Sequence, residues 1–157
     1  KYDERIIGAA MKKFEFSLEK VLSFKQQTLN VKLNELALFQ MKLSELEKEI
    51  DDLNNKFIDT NRKMVEEMQI GLNSNDISIY KTYFNTLNQK IQKYIEDKRQ
   101  LLEVIAQKRA DIVLANSEIS GLEKLRDKQL DEYLKSKQKS DELAMDEYVN
   151  QVRSSAG

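Results

Sequence analysis

Residues 70–78, which read IGLNSNDIS, are the stretch that decides the fold of this chain. Gly71 can end a helix, and the Asn-Ser-Asn-Asp run at 73–76 contains residues that favour turns and helix N-caps. No comparable group of turn-forming residues occurs elsewhere in the central part of the sequence. The stretch therefore predicts a single turn, at about residues 71–76, between two long elements.

Before this turn, apolar residues recur at every seventh position. Their companions three residues later include Phe39, Leu46 and Leu53. This is the a/d pattern of a coiled coil, and it predicts a first helix over about residues 14–70. The predicted core residues of this helix are Leu22, Leu29, Leu36, Leu43, Ile50, Phe57 and Met64.

After the turn the same spacing resumes from Ile77, which predicts a second helix over about residues 77–152. Two helices joined by one short turn run antiparallel, and a 3.5-residue repeat implies a left-handed supercoil. The predicted fold is all-α: a long antiparallel two-helix coiled-coil hairpin without a globular core, forming one domain over residues 11–153. The predicted core residues of the second helix are Phe84, Ile91, Ile105, Ile112 and Ile119.

Lysines interrupt this seam. Lys25, Lys32 and Lys108 occupy d positions, and Lys98 occupies an a position. Polar seam residues set the register at a cost in stability, and lysines can also turn their ammonium groups out to water. We expect the two helices to pair more firmly towards the turn than towards the chain ends.

Composition excludes several functional classes. The 157 residues include no proline, no cysteine and no histidine, and 26 basic residues balance 27 acidic ones. Interspersed charges of both signs give no basic face for nucleic acid, and no apolar run is long enough to span a membrane. Without histidine, cysteine or a glycine-rich phosphate loop, we expect no enzymatic activity, no cofactor, no metal and no small-molecule substrate.

Both ends of the sequence depart from the heptad pattern. Residues 1–10, KYDERIIGAA, do not continue it, so we interpret Met11 as the native start and the decapeptide as an added or disordered extension. Phe14 and Phe16 then alternate as residues of a strand do, before helical spacing begins. Residues 154–157 are expected to form a flexible tail.

A turn near residues 73–74 places Phe14 opposite Tyr133, so the second helix should have no partner beyond about Leu134. An apolar stripe nevertheless continues there at helical spacing. Such a stripe either contacts another molecule or belongs to a frayed helix. Its residues are Ala144, Met145, Tyr148, Val149 and Val152.

A second apolar stripe lies outside the seam. Phe24, Val31 and Leu38 repeat by sevens, two residues after seam positions and therefore about 200° away around the helix. Tyr83 lies on the flank of the seam. These residues are either singly exposed apolar side chains, which are common, or parts of a partner-binding surface.

Three stretches resemble the FliJ family of the flagellar type III export apparatus. MKKFEFSLEKVLSFKQQ, residues 11–27, is similar to the F-x-F-x-L-x-K-V-L opening of that family. IYKTYFNTLNQKI, residues 79–91, resembles the Tyr/Phe-rich start of its second helix. GLEKLRDKQLDEYLKSKQKSDELAMDEYV, residues 121–149, resembles its L-E-K-L/M-R-x-K stretch and the acidic segment that follows.

The resemblance implies a non-enzymatic coiled-coil stalk or adaptor at the flagellar base. It implies a cytoplasmic protein, peripherally associated with the cytoplasmic face of the inner membrane, that binds the flagellar export ATPase and promotes ring assembly and activity. It further implies contacts with the cytoplasmic part of the export gate membrane protein and with export chaperones. The expected ATPase-binding residues are Phe14, Phe16, Leu18, Tyr133, Leu143, Met145 and Tyr148. The expected gate- or partner-binding residues are Phe24, Val31, Leu38 and Tyr83.

Three alternatives remain open at this point. The chain is also compatible with the corresponding stalk protein of a virulence type III secretion system, although the F-x-F-x-L-x-K-V-L opening favours the flagellar family. A structural coiled-coil spacer would not need apolar residues outside the seam. A general holdase chaperone would use those residues to bind unfolded clients without the ATPase.

Overall fold

A computed structural model of the protein describes residues 13–157. It contains two helices, α1 (Glu19–Ile70) and α2 (Ser74–Ala156), and no strand within that range. The helices pack against each other, so the predicted all-α helical hairpin is confirmed. The predicted start at Met11 and the predicted N-terminal extension lie outside the described residues.

The connection between the helices is short because both of its ends are capped. Gly71 has φ +118°, a conformation that favours glycine, and its N–H still bonds to the carbonyl of Glu67 at 3.0 Å. The side-chain oxygen of Asn73 accepts the backbone N–H of Asp76 at 2.8 Å, as an N-cap residue does. This cap makes α2 begin at Ser74, three residues earlier than predicted.

The first helix begins at Glu19, so the predicted start at residue 14 is wrong. Residues 13–16 are not helical, and the N–H of Glu19 bonds to the carbonyl of Phe16 at 3.0 Å. The strand-like spacing of Phe14 and Phe16 reflects this non-helical segment. At the other end, α2 continues to Ala156, so residues 154–156 are helical and do not form the predicted flexible tail.

The described chain divides into two compact units. The terminal unit combines residues 13–29 with Leu114–Gly157. Its buried cluster consists of Phe16, Leu22 and Ile119. The partly buried residues packed around that cluster are Phe14, Leu18, Leu29 and Leu122.

The turn unit is Asn30–Val113. Its buried cluster consists of Leu53, Leu87 and Ile91, with Tyr94 packed against it. Leu53 and Leu87 are d residues, so both rows of the heptad pattern contribute to the core. Ile105 and Ile112 are buried further along α2.

The predicted seam residues differ in burial. Leu22, Ile91, Ile105, Ile112 and Ile119 are buried. Phe57 is 39% exposed, so it lies at the edge of the seam and not in its core. Its ring keeps a contact with Phe84, at 4.8 Å between centroids. The seam residues of intermediate burial are Leu29, Leu36, Leu43, Ile50, Met64 and Phe84.

Three of the four seam lysines pair with glutamates of the other helix. In the terminal unit, Lys25 Nζ lies 2.6 Å from Glu118 Oε2. In the turn unit, Lys108 Nζ donates to Glu35 Oε2 at 2.8 Å, a hydrogen bond that raises the pKa of Lys108. Lys98 makes the same kind of pair with Glu47 at 3.3 Å. Because each pair joins α1 to α2, these lysines fix the register of the hairpin.

Candidate partner-binding surfaces

An aromatic pair marks the beginning of the described chain. The rings of Phe14 and Tyr133 have centroids 5.6 Å apart and are tilted by 47°, which confirms that these two residues face each other. Both side chains are partly exposed. The pair therefore presents aromatic surface while it holds the segment before α1 against α2.

Phe16 is not available as a surface contact, contrary to the expectation for an ATPase-binding residue. It is only 7% exposed and belongs to the buried cluster of Leu22 and Ile119. Leu18 is partly buried against the same cluster. The non-helical backbone of residues 13–16 accounts for this burial. It directs the Phe16 side chain towards the cluster, whereas the side chain would point in a different direction in a continuous helix. Phe14 packs against the buried cluster that contains Phe16.

The last part of α2, residues 134–156, is here called the α2 extension. Met145 is 63% exposed, and Tyr148, Val149 and Val152 are also exposed. Spacings of three, four and seven residues place these four side chains on one helix face. The α2 extension thus carries an exposed apolar stripe, as the sequence predicted.

Leu143 does not belong to this stripe. It is exposed, but it precedes Met145 by two residues and therefore lies about 200° away around the helix. One flat partner surface cannot contact both residues, so the predicted ATPase-binding set divides into two faces. A shallow depression adjoins the Met145 face, lined by Leu134, Lys137, Gln138, Asp141, Glu142 and Met145.

The predicted gate- or partner-binding residues are all exposed. Phe24 belongs to the terminal unit, and Val31 and Leu38 belong to the turn unit, each on the outward side of α1. Tyr83 is 40% exposed near the beginning of α2. It lines a shallow depression with Ser78, Ile79, Thr82 and Thr86.

The sequence reasoning missed two residues on the outward side of α1. Met41 is 60% exposed, three residues after Leu38, and Asn34 is exposed between Val31 and Leu38. The signal was present as a second set of a/d spacings, 3 and 4 residues apart, on the face opposite the seam. Neither Asn34 nor Met41 occupies an a or d position of the main seam.

Hydrogen bonds tie the other polar groups to their own surroundings. Tyr80 donates its hydroxyl hydrogen to Glu67 Oε2 at 2.6 Å, which raises the pKa of Tyr80 to about 12. On the outward side of α2, Arg99 bonds to both Glu96 and Glu103. The hydrogen bond from Arg99 lowers the pKa of Glu96 to about 2. The single guanidinium thus pairs with both carboxylates on the surface of the helix.

The exposed apolar faces described above suit protein recognition. The part of the chain that the structure describes has no group of histidine, cysteine, aspartate or glutamate side chains able to hold a metal ion. Among the described helices, none has an apolar stretch that would let it cross a bilayer. Exposed aromatic and aliphatic side chains on helix faces are typical contacts of protein–protein interfaces.

Comparison with known proteins gives one match. A family model described as the flagellar FliJ protein matches residues 14–156, nearly all of the described chain. No curated protein and no solved structure matches the sequence significantly.

Proposed function

Because the chain belongs to the FliJ family of flagellar proteins, components of the flagellar export apparatus, we propose that it is a non-enzymatic stalk and adaptor in that apparatus. In this proposal it binds the flagellar export ATPase and promotes assembly and activity of the ATPase ring. It also links the ring to the cytoplasmic part of the export gate and to export chaperones. Its place is the cytoplasmic face of the inner membrane at the flagellar base.

The observation that carries the proposal is the exposed apolar stripe of the α2 extension. Met145, Tyr148 and Val152 are exposed on a helix that continues well past the Phe14–Tyr133 pair. Keeping large apolar side chains in water is unfavourable, and covering them with a partner recovers that free energy. A long helix with an uncovered apolar face is suited to enter a ring of subunits.

The terminal unit supplies a firm base for this contact. Leu22 is completely buried beneath Phe16, and the Phe14–Tyr133 pair joins the segment before α1 to α2. A partner that contacts Phe14 and Tyr133 would therefore meet side chains on supported backbone. Rigid anchors lose little conformational entropy on binding.

The proposal is tested by measuring ATP hydrolysis by the export ATPase with and without the chain, alongside counts of assembled rings. The wild-type chain should stimulate hydrolysis and increase closed rings. Met145→Glu combined with Tyr148→Glu should lose both effects, because a carboxylate cannot be buried in an apolar contact without a large cost.

Ser136→Glu combined with Asn150→Glu is the matched control, since it adds the same two charges to the opposite face of the α2 extension, at two exposed polar residues. It should stimulate hydrolysis as the wild type does. Helix content from circular dichroism should be equal in all three proteins, because these residues are exposed. Failure of the wild-type chain to stimulate an ATPase that is active alone would refute the proposal and favour a spacer.

A holdase chaperone is the second candidate function, favoured by exposed apolar residues in both units, such as Phe24 and Leu38. A holdase would suppress aggregation of unfolded proteins without the ATPase. The stalk proposal expects no such suppression at equimolar chain. The same assay applies to a virulence-type counterpart, which should stimulate its own ATPase in preference to the flagellar one.

A further inference from the structure

We propose that the outward face of α1 in the turn unit is a docking seam for one amphipathic helix of another protein. The proposal deepens the partner-binding role given above and rests on it. The face, here called the α1 outer seam, is formed by exposed residues without charge. They are Asn30, Val31, Asn34, Ala37, Leu38 and Met41.

Lack of charge is unusual at this place in the fold. About a third of the residues in the chain are charged, and the outward side of a hairpin normally carries them. In the same unit, the outward side of α2 carries the Glu96–Arg99–Glu103 network. The charged groups of that face are well hydrated, whereas the α1 outer seam exposes only amides and apolar groups to water.

The spacing of the α1 outer seam indicates a helix as its occupant. Val31, Asn34, Leu38 and Met41 are separated by three, four and three residues, which is the a/d spacing of a coiled-coil seam. Leu38 is 59% exposed, so it can serve as a knob for a facing helix. An added strand would need free backbone groups, which a helix does not present.

Charge and size exclude the other occupants. An anionic membrane surface or nucleic acid requires lysine or arginine on the contact face, and the α1 outer seam has neither. A stable dimer of this chain through the seam would need roughly 20–30 residues a side, far more than the seam provides. A single helix, bound transiently, fits both the length and the neutrality of the face.

Asn34 specifies the partner further. An amide at the centre of an apolar seam loses its water on binding and needs a hydrogen-bonding side chain opposite it. The partner helix is therefore apolar at its a and d positions and carries one polar residue at the level of Asn34. Such a polar layer sets the register of the complex.

The test uses a helix-stabilised peptide of about two heptads, which matches the length of the seam, with leucine at every a and d position except one central asparagine. Because the chain has no cysteine, Ser44→Cys gives a single site for an environment-sensitive dye beside the α1 outer seam. Gln100→Cys, on the outward side of α2, is the matched control. The peptide should change the emission of the Ser44 dye and leave the Gln100 dye unchanged.

Two substitutions make the test decisive. Leu38→Glu should weaken peptide binding about tenfold or more, because it buries a charge. Asn34→Leu should reverse the preference, so that a peptide with leucine in place of its asparagine binds about tenfold better than the asparagine peptide. Both residues are exposed, so circular dichroism should show unchanged helix content.

No binding by the wild-type chain, or equal binding by Leu38→Glu, would overturn this inference. ATPase stimulation distinguishes that failure from failure of the proposed function. A chain that stimulates the ATPase without binding the peptide refutes only the docking seam. A chain that binds the peptide without stimulating the ATPase refutes the stalk proposal and leaves the seam in place.

Discussion

The two ends of α2 use similar residues in different surroundings. At its beginning, Asn73 caps the helix, Tyr80 bonds to Glu67 of α1, and Leu87 is buried with Leu53. In the α2 extension, Met145 and Tyr148 resemble Leu87 and Tyr80 in character but remain exposed. The difference teaches that the heptad pattern alone does not distinguish packing within the hairpin from surface reserved for a partner.

The largest effect should come from Leu87→Ala. Leu87 is 4% exposed, so truncation leaves a cavity and should lower the stability of the turn unit by about 2–5 kcal/mol. Met145→Ala, in the α2 extension, should change stability by less than about 0.5 kcal/mol. Urea unfolding, followed by amide exchange in each unit, measures both. Equal losses would mean that the α2 extension is packed after all.

Substitutions at two glycines give a second comparison, between the turn and the interior of α2. Gly71→Ala should cost about 1–2 kcal/mol, because φ +118° is strained for a residue with a Cβ even though nothing obstructs that atom. Gly121→Ala, inside α2 with open space around it, should stabilise the chain by about 0.5–1 kcal/mol. Thermal unfolding gives the sign directly. A stabilising Gly71→Ala would show that the turn adopts another conformation.

Much of the hairpin follows from the sequence because it depends on local patterns. The run of leucines from Leu22 and the Asn-rich turn require only helix periodicity and capping chemistry. The contact of Phe16 with Leu22 and Ile119 does not follow, because it depends on a non-helical segment that folds against a residue distant in sequence. The exposure of Phe57 likewise does not follow from the heptad pattern, because it depends on how closely the two helices pack at that level.

The candidate surfaces were predictable in part. An apolar stripe beyond Leu134 could be inferred from turn position and rise per residue, both local quantities. Leu143 and Met145 lie on different faces only if the helix continues through both residues. The structure shows that it does. Asn34 and Met41 were overlooked because an exposed amide or a single methionine carries no signal until its neighbours on the face are known.

Asn73→Ala should have a smaller effect than Leu87→Ala or Gly71→Ala. Loss of the bond from Asp76 N–H to the Asn73 side chain should cost about 1 kcal/mol and fray the first turn of α2. Ser154→Ala, near the other end of α2, should have no measurable effect on stability. Asn73→Ser is the rescue variant, because serine also caps helices. Fraying that spreads beyond the first turn would indicate that the cap, and not packing at Leu87, holds this end of α2.

The smallest effect is expected from the Tyr80–Glu67 hydrogen bond, and it depends on pH. The folded chain keeps the Tyr80 hydroxyl protonated because Glu67 accepts its hydrogen, so the pKa of Tyr80 rises from its usual 10 to about 12. The unfolded chain releases this proton near pH 10 and the folded chain near pH 12. The contribution is therefore complete below pH 10 and disappears between pH 10 and 12. Tyr80→Phe should lose it at neutral pH and should flatten the decline of stability over that interval. Tyr148→Phe, in the α2 extension, makes no such bond to α1 and is the control. An unchanged pH profile in Tyr80→Phe would mean that packing between the helices, such as that of Phe57 on Phe84, and not the hydroxyl, holds the beginning of α2 against α1.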